Sequence, residues 1–345
     1  CPLLEVQSAT DADGTRWRLL GYAFQGDPAQ PDPRASIAKA SGLAGMMDVV
    51  FSWAGRWLLV SDSHLIGDAG GIMPAYYIAD HNGAKLPAIS SSLAILYECY
   101  QTPIASYDTL GWYMYEYFPP PTTRLKGVLK LLPDQVIDLR NGTIERVNRL
   151  HLDRYRDLSA EERADRMLAS LSHVFKQMGA SGKRIVIAGT AGRDSRVAVA
   201  VARHAGIPFE VMNHVHWRSS TADRVITEQY SRDLGVPYRA VTLGERRRER
   251  GRAYDYHTFC SVSQANRLVY ERGGYDAFDD SVWLIRSGLW EIGRAYYWKR
   301  FGPSWEAFAA DPEPALRRLR HYSGYRRILK GFKAWIAWNR CKGEN

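Results

Sequence analysis

A short stretch in the second half of the chain combines small, hydroxylic and acidic residues in an order that suits phosphate chemistry. Residues 189–196 read Gly-Thr-Ala-Gly-Arg-Asp-Ser-Arg and directly follow the apolar run Arg184–Ala188. Small residues let backbone N–H groups close around an anion, and a helix that starts here adds partial positive charge. The hydroxyls of Thr190 and Ser195 can donate to phosphate oxygens, and Asp194 can hold Mg²⁺ against them. The predicted binding residues are Gly189, Thr190, Ala191, Gly192, Arg193, Asp194 and Ser195.

The segments around this turn alternate in type, as in a parallel sheet. Residues 159–162 fit a capping box, and apolar residues at three- and four-residue spacing predict one long helix after it. We predict strands at residues 184–188, 209–215 and 238–243, with helices at 194–204 and 220–234 between them. This alternation implies a parallel sheet with helices on both faces. Because open α/β sheets bind ligands at the carboxyl ends of their strands, the turn lies where a ligand is expected.

The first half of the chain differs, with short strands separated by turn residues. We predict strands at residues 16–24, 49–51, 56–60, 74–79 and 135–139. Helices are predicted at residues 35–44, 91–100 and 107–116, and three consecutive prolines then break the chain. The sequence therefore predicts two domains, a β-rich layered one at residues 1–150 and a doubly wound parallel-sheet one at residues 151–345.

Composition and charge bound the classes of partner. Of 345 residues, 46% are hydrophobic and 24% charged, and no window approaches the roughly 18 apolar residues of a membrane span, so we expect a cytoplasmic protein. The 46 Lys and Arg residues exceed the 37 Asp and Glu residues, and the net charge of +9 favours polyanionic partners. The excess is concentrated in residues 246–252 and 317–333, where solvated basic helix faces are the simpler interpretation.

Other nucleophilic or metal-ligating residues lie apart from the turn. The four cysteines are too far apart in sequence for a Cys-x-x-Cys site. His214 and His216 share one face of a predicted strand without an evident third ligand, so polar residues at a wet strand end are the simpler interpretation. Nothing in the sequence orients His257 toward Cys260, which argues against a Cys-His nucleophile.

The turn resembles a known pyrophosphate loop. It matches neither Gly-x-Gly-x-x-Gly nor the Walker motif, but it is similar to Ser-Gly-Gly-x-Asp-Ser of the ATP-pyrophosphatase enzymes, with Thr190 and Ala191 in place of the first Ser and Gly. Further stretches resemble the linker and the later glutaminase strands of asparagine synthetases, at residues 127–135 and at residues 55–60, 76–77 and 88–92. The chain is therefore similar to the asparagine synthetase family, which includes β-lactam synthetase and the lasso-peptide cyclases.

This resemblance implies a fold and a set of site residues. It implies an N-terminal Ntn-hydrolase-like αββα sandwich followed by an ATP-pyrophosphatase domain. Residues 287–297 resemble the family's second ATP motif, with Glu291 on its Glu, Tyr296 on its Tyr and Trp290 on its metal-binding Asp. Core aromatic packing is the alternative for Tyr296. The implied roles are ATP contacts at Met212, Ser287 and Gly288, Mg²⁺ ligation by Asp194 and Glu291, and catalysis by Asp194, Glu291 and Tyr296.

The first residues bear on whether glutamine supplies nitrogen. A glutaminase of this family needs a cysteine at residue 1, and this chain begins with Cys1. However, Pro2 follows where the family has Gly-Ile, and no Arg-Gly-Pro-Asp loop occurs. Residues 3–6 paired with residues 16–24 resemble an interior hairpin of that domain instead. We therefore expect no glutamine hydrolysis, and Cys1 as a nucleophile is the alternative.

Together these features predict an ATP-dependent ligase that forms amide bonds. A carboxylate on a small molecule or peptide would become an acyl-adenylate, and an amine would then displace AMP. One alternative is a pyrophosphatase acting on tRNA, which would bind RNA in a salt-sensitive manner, although we do not expect a nucleic-acid partner. Another is an inactive binding subunit of the same fold, suggested by Ala191 and Trp290. The oligomeric state stays open.

Overall fold

The computed structural model describes most of the chain in segments separated by short gaps. The described residues are 5–81, 84–104, 121–147, 155, 157–215, 221–258, 264–287, 307, 310, 311, 313–316, 326, 329 and 333. Within them the strands form two antiparallel sheets and one parallel sheet. This confirms the expected α/β class and the parallel sheet in the second half. None of the described helices is both long and apolar enough to cross a membrane.

The described part of the first half contains two antiparallel sheets. Their strands are β1 (Val6–Thr10), β2 (Arg16–Gln25), β3 (Trp53–Val60), β4 (His64–Gly67), β5 (Tyr76–His81), β6 (Ala84–Ser90), β7 (Val128–Lys130), β8 (Gln135–Asp138) and β9 (Thr143–Arg146). One sheet has the order β1-β2-β3-β4-β8-β9 and the other the order β6-β5-β7. β1 and β2 form an antiparallel hairpin in which Val6 pairs with Leu20. Of the first strand predicted at residues 3–6, only Val6 lies in β1, which continues to Thr10, and residues 3 and 4 lie outside the described part.

Among the described residues, three helices cover the outer faces of these sheets: α1 (Pro33–Ile37), α2 (Gly42–Val50) and α3 (Leu93–Tyr100). Trp57 on one face of the six-stranded sheet packs against α1 and α2. Leu58 on the other face packs against the three-stranded sheet, whose far side packs against α3. The layers therefore follow the order helix, sheet, sheet, helix.

Two predictions for this half need correction. Residues 35–44 do not form one helix, because α1 ends at Ile37 and α2 begins at Gly42. Residues 49–51 are not a strand, because α2 extends to Val50. The buried residues Met46, Met47 and Val50 follow helical spacing, and packing of that face overrides the strand preference of the valines. The predicted helix at residues 107–116 lies outside the described residues.

The second half is organised around a four-stranded parallel sheet. Its strands are β10 (Arg184–Ala188), β11 (Glu210–Val215), β12 (Tyr238–Thr242) and β13 (Val282–Ile285), in the order β12-β11-β10-β13. Its helices are α4 (Ala160–Ala180), α5 (Arg193–His204), α6 (Thr221–Leu234), α7 (Arg248–Thr258), α8 (Gln264–Glu271) and α9 (Glu313–Leu316). The predicted capping box starts α4, since Ser159 N–H donates to Glu162 Oε2 (2.7 Å) and Glu162 N–H to Ser159 Oγ (3.1 Å).

The two halves pack together through the end of β2. The side-chain amide of Gln177 in α4 donates to Gln25 O (2.7 Å), and Gln25 N–H donates back to Gln177 Oε1 (3.0 Å). Tyr22 and Phe24 contact Trp283 of β13, with ring centroids 4.4 and 5.6 Å apart. The first half therefore supports the strand that borders β10.

Candidate functional site

The predicted turn lies at a switch point of the parallel sheet. We call residues 189–195 the β10–α5 loop. The chain leaves β10 through α5 to reach β11 on one side, and it returns through α7 and α8 to place β13 on the other side. At such a point the loops above two neighbouring strands diverge and leave a crevice for a ligand. The β10–α5 loop and Ser287, which follows β13, therefore lie at the carboxyl ends of neighbouring strands, on the two sides of this switch point.

The β10–α5 loop holds its own shape through two hydroxyls. Thr190 N–H donates to Ser195 Oγ (3.0 Å), and Gly192 N–H donates to Thr190 Oγ1 (3.0 Å). The two hydroxyl oxygens are themselves 2.9 Å apart. Ser195 is buried, whereas Thr190 and Gly192 are exposed. The two hydroxyls therefore order the loop itself. This corrects the expectation that the backbone N–H groups of Thr190 and Gly192 are open to an anion and that Ser195 donates to phosphate, because these groups already have partners within the protein.

Two side chains from neighbouring elements also hold this loop. Asp223 in the first turn of α6 accepts a hydrogen bond from Ala191 N–H, with an N–O distance of 2.8 Å. Asn213 in β11 is buried and donates its amide to Gly189 O, while Tyr238 in β12 donates its hydroxyl to Asn213 Oδ1 (3.0 Å). Burial raises the pKa of Tyr238, so its phenol stays protonated and able to donate at neutral pH. The loop is thus fixed from β11, with Tyr238 of β12 behind Asn213, and from α6.

The first residue of the loop has no space for a side chain. A Cβ on Gly189 would lie 2.5 Å from the Tyr230 hydroxyl, 2.6 Å from Thr227 Cγ2 and 2.7 Å from Val211 Cγ1. The Gly189 N–H donates to Met212 O (2.8 Å). Met212 is the residue expected to contact adenine, so its backbone carbonyl already accepts one hydrogen bond from the loop. Glycine is therefore required here by close packing of the loop against α6 and β11.

The helix that follows begins without a side-chain acceptor at its N-cap. Gly192 is the N-cap of α5 and makes no side-chain cap hydrogen bond, so it supplies no acceptor to the first-turn N–H groups. Arg193 is exposed and Asp194 half-buried in that first turn. Ala191 does not adopt a positive φ, so its β-carbon causes no backbone strain at the position where the resembling motif has glycine.

The opposite side of the crevice contributes one described candidate. The Ser287 hydroxyl follows β13 and is buried without a hydrogen-bond partner in the part of the chain that the structure describes. Leaving a buried hydroxyl unsatisfied costs about 1–3 kcal/mol. The other candidates on this side, Gly288, Glu291 and Tyr296, lie outside the described residues, as does Trp290.

The remaining candidates do not form a second site among the described residues. His214 Nε2 is 2.9 Å from Gly274 O, and its ring packs edge-on against Tyr275 with centroids 5.6 Å apart. This agrees with a structural role for His214. Cys1, His216, Cys260 and the side chain of His257 lie outside the described part of the chain. No group of three His, Cys, Asp or Glu side chains suited to a metal occurs within the described segments.

Part of the basic run after β12 is paired with carboxylates of the same half. Arg246 contacts the buried Glu271 (3.1 Å), and Arg247 and Arg250 contact Asp276 (3.2 and 2.6 Å). Pairing with carboxylates lowers the net positive charge that this segment can present to a polyanion. Three of its arginines therefore have carboxylate partners.

Sequence reasoning missed the residues that hold the loop from outside. Asp223 was recognisable only as part of the Ser-Thr-Ala-Asp start of a helix, and Asn213 and Tyr238 only as strand residues. Their contacts join positions 24 to 32 residues apart, so local patterns carry no signal for them. No protein-family model matches the chain, and no curated protein matches it in sequence.

Proposed function

We propose that this protein is an ATP-dependent ligase that forms an amide bond and binds the pyrophosphate part of ATP at the β10–α5 loop. The observation that carries the proposal is this loop at the switch point of a parallel sheet. It combines two hydroxyls, a glycine N-cap that offers no side-chain acceptor, and the carboxylate of Asp194 in the first turn of α5. The resemblance to the pyrophosphate loop of the asparagine synthetase family supports the same assignment. The αββα layers of the first half support the Ntn-like relic that this resemblance implies.

The proposed reaction has two steps. A carboxylate oxygen of the substrate attacks the α-phosphorus of ATP, and the bond to the pyrophosphate oxygen breaks. An amine nitrogen then attacks the acyl carbon, loses its proton and displaces AMP. Activation is required because an unactivated carboxylate has a poor leaving group. The protein contributes mainly by placing the reactants and by offsetting the charge on the departing pyrophosphate.

Several described groups would contribute to binding the phosphates of ATP. The N-terminal turn of α5 presents its partial positive charge to the phosphates, and exposed Arg193 adds a full charge. Thr190 and Ser195 keep the loop in shape through their mutual contact. Ser287 approaches from the β13 side with a buried hydroxyl that lacks a described partner.

The residues present also fit Mg²⁺ carried by a nucleotide. Mg²⁺ is held in such sites by one or two carboxylates together with substrate phosphates and water, and it neutralises phosphate charge. Asp194, half-buried in the first turn of α5, is the described carboxylate that would hold it. Glu291 would be the second carboxylate in this proposal.

The test is pyrophosphate release from ATP and Mg²⁺ with a panel of carboxylates, amines and candidate peptides. We expect pyrophosphate and AMP to form only when a suitable carboxylate is present, and Asp194→Ala to abolish both products. Asp233→Ala is the matched control, since it removes an exposed carboxylate near the end of α6 that contacts only Gln229 among described partners.

Three results would count against the proposal. Absence of ATP binding would contradict the assignment of the β10–α5 loop. ATP binding without turnover across the panel would favour the inactive binding subunit. Salt-sensitive RNA binding with RNA-dependent pyrophosphate release would favour the tRNA-modifying enzyme.

A further inference from the structure

Asp223 does not serve its own helix alone. It lies in the first turn of α6, where a carboxylate stabilises a helix through its charge. Its Oδ1 atom accepts a hydrogen bond from Ala191 N–H, 2.8 Å away and 32 residues earlier in the chain. The carboxylate therefore links α6 to the β10–α5 loop.

The loop lacks an internal acceptor at this position. The N–H groups of Thr190 and Gly192, on either side of Ala191, are both satisfied by hydroxyls of the loop itself. The Ala191 N–H is satisfied by a side chain from a different element. Without Asp223 the peptide before Ala191 would lose its described acceptor and could rotate, which would disturb the hydrogen bonds on both sides of it.

We infer that Asp223 is a positioning residue that fixes the β10–α5 loop in the shape that accepts the pyrophosphate part of a nucleotide. This inference rests on the proposed function, because it requires an anion to bind at the loop. Asp223 acts through the backbone of Ala191 and needs no contact with the ligand.

A carboxylate beside an anion site could instead compete with the ligand. If it did, the phosphates would have to displace Asp223 from Ala191. The N-terminus of α5 argues for positioning, because Gly192 supplies no side-chain acceptor and an anion can be accepted there while Asp223 stays in place. The two roles predict opposite effects of removing the carboxylate.

The experiment is isothermal titration of the full chain with inorganic pyrophosphate and with ATP, each in the presence of Mg²⁺. Asp223→Ala removes the acceptor, and losing a hydrogen bond to a charged group should weaken binding of both probes by about tenfold. Asp223→Asn keeps an acceptor oxygen and should restore affinity to within about threefold of wild type, since a neutral acceptor keeps much of the bond. Asp233→Ala on the same helix should bind like wild type.

Thermal unfolding of each variant separates positioning from general loss of structure. We expect Asp223→Ala to lose affinity while its melting temperature stays close to that of Asp223→Asn. Should Asp223→Ala fail to fold, Asp223→Ser provides the same comparison, because its hydroxyl is one atom shorter and keeps a polar residue at the helix start.

The outcomes separate this inference from the proposed function. If Asp223→Ala and wild type bind pyrophosphate and ATP with equal affinity, Asp223 does not position the loop, and the proposed ATP site is unaffected. Tighter binding by both Asp223→Ala and Asp223→Asn would overturn it in favour of competition. Failure of wild-type protein to bind either probe would refute the ATP site, and the inference would fall with it.

Discussion

Gly189 allows the packing of the candidate site to be tested by a single substitution. A Cβ added at this residue would lie 2.5–2.7 Å from three atoms of Tyr230, Thr227 and Val211. Thr227 and Val211 are both 0% exposed, so neither can move into solvent. Gly189 does not adopt a positive φ, and the cost of alanine is therefore steric. Overpacking costs about 1–3 kcal/mol, and three simultaneous clashes place Gly189→Ala near the upper limit, at about 3 kcal/mol.

The assay is urea unfolding followed by far-ultraviolet circular dichroism. Gly67→Ala at the end of β4 is the matched control, because its Cβ would meet only Leu58 Cδ2 at 3.7 Å and Leu131 Cδ2 at 3.9 Å. These are ordinary contacts, so we expect the control to change the free energy of unfolding by less than about 1 kcal/mol. The Gly189 variant should also bind pyrophosphate more weakly, since the shifted backbone carries the β10–α5 loop.

The packing argument is refuted if both alanine variants unfold at the urea concentration of wild type. It is also refuted if Gly189→Ala is destabilised but binds pyrophosphate with unchanged affinity, because the clash would then be relieved without moving the loop. A loss confined to the Gly189 variant, in both measurements, is the result that we expect.

Three further predictions concern the hydrogen bonds that run from Tyr238 through Asn213 to the loop, the junction between the two halves of the chain, and stability in acid. Asn213→Leu removes the partner of both Gly189 O and the Tyr238 hydroxyl and should lower the free energy of unfolding in urea by about 2 kcal/mol. Tyr238→Phe should lower it by about half as much, and equal losses would contradict a chain of hydrogen bonds from Tyr238 through Asn213 to Gly189 O. Trp283→Ala removes a half-buried ring from the junction and should cost about 2 kcal/mol, most of which Trp283→Phe should recover. The hydrogen bond from Arg250 lowers the pKa of Asp276, so its carboxylate contributes stability above about pH 4 that is lost as the pH falls through the folded-state pKa. Asp276→Asn should therefore unfold at lower urea than wild type at about pH 7, and this difference should shrink as the pH falls below about 4, so that a constant difference would contradict this assignment.

The parallel sheet was predictable because its segments are marked by strong local patterns. The predicted strand at residues 184–188 coincides with β10, and the predicted helix at residues 194–204 begins one residue after α5 does. Gly235 has a positive φ directly after α6, as the sequence signal for the end of that helix requires. Apolar runs, caps and glycines therefore place these elements without tertiary information.

The candidate site was less predictable because its support comes from distant residues. The turn itself could be read from small and hydroxylic residues, but the roles of Asp223 and Asn213 depend on how α6 and β11 pack beside it. In the same way, the short valine-rich segment before Phe51 favours a strand by local preference, and only burial of the methionines beside it makes it a helix. Tertiary contacts decide such positions, and single-residue preferences do not encode them.

The strand order has a consequence for how the molecule assembles. β10, β11 and β12 follow one another with a single helix between each pair, whereas β13 begins 40 residues after β12 ends (Thr242 to Val282). Closing a shorter loop costs less entropy, so contacts between nearby segments tend to form first during folding. We therefore expect the three-stranded part, with the β10–α5 loop already attached, to form before β13 docks beside Tyr22 and Phe24. The two sides of the switch point would then form at different times: the β10–α5 loop first, and the segment after β13 that contains Ser287 later.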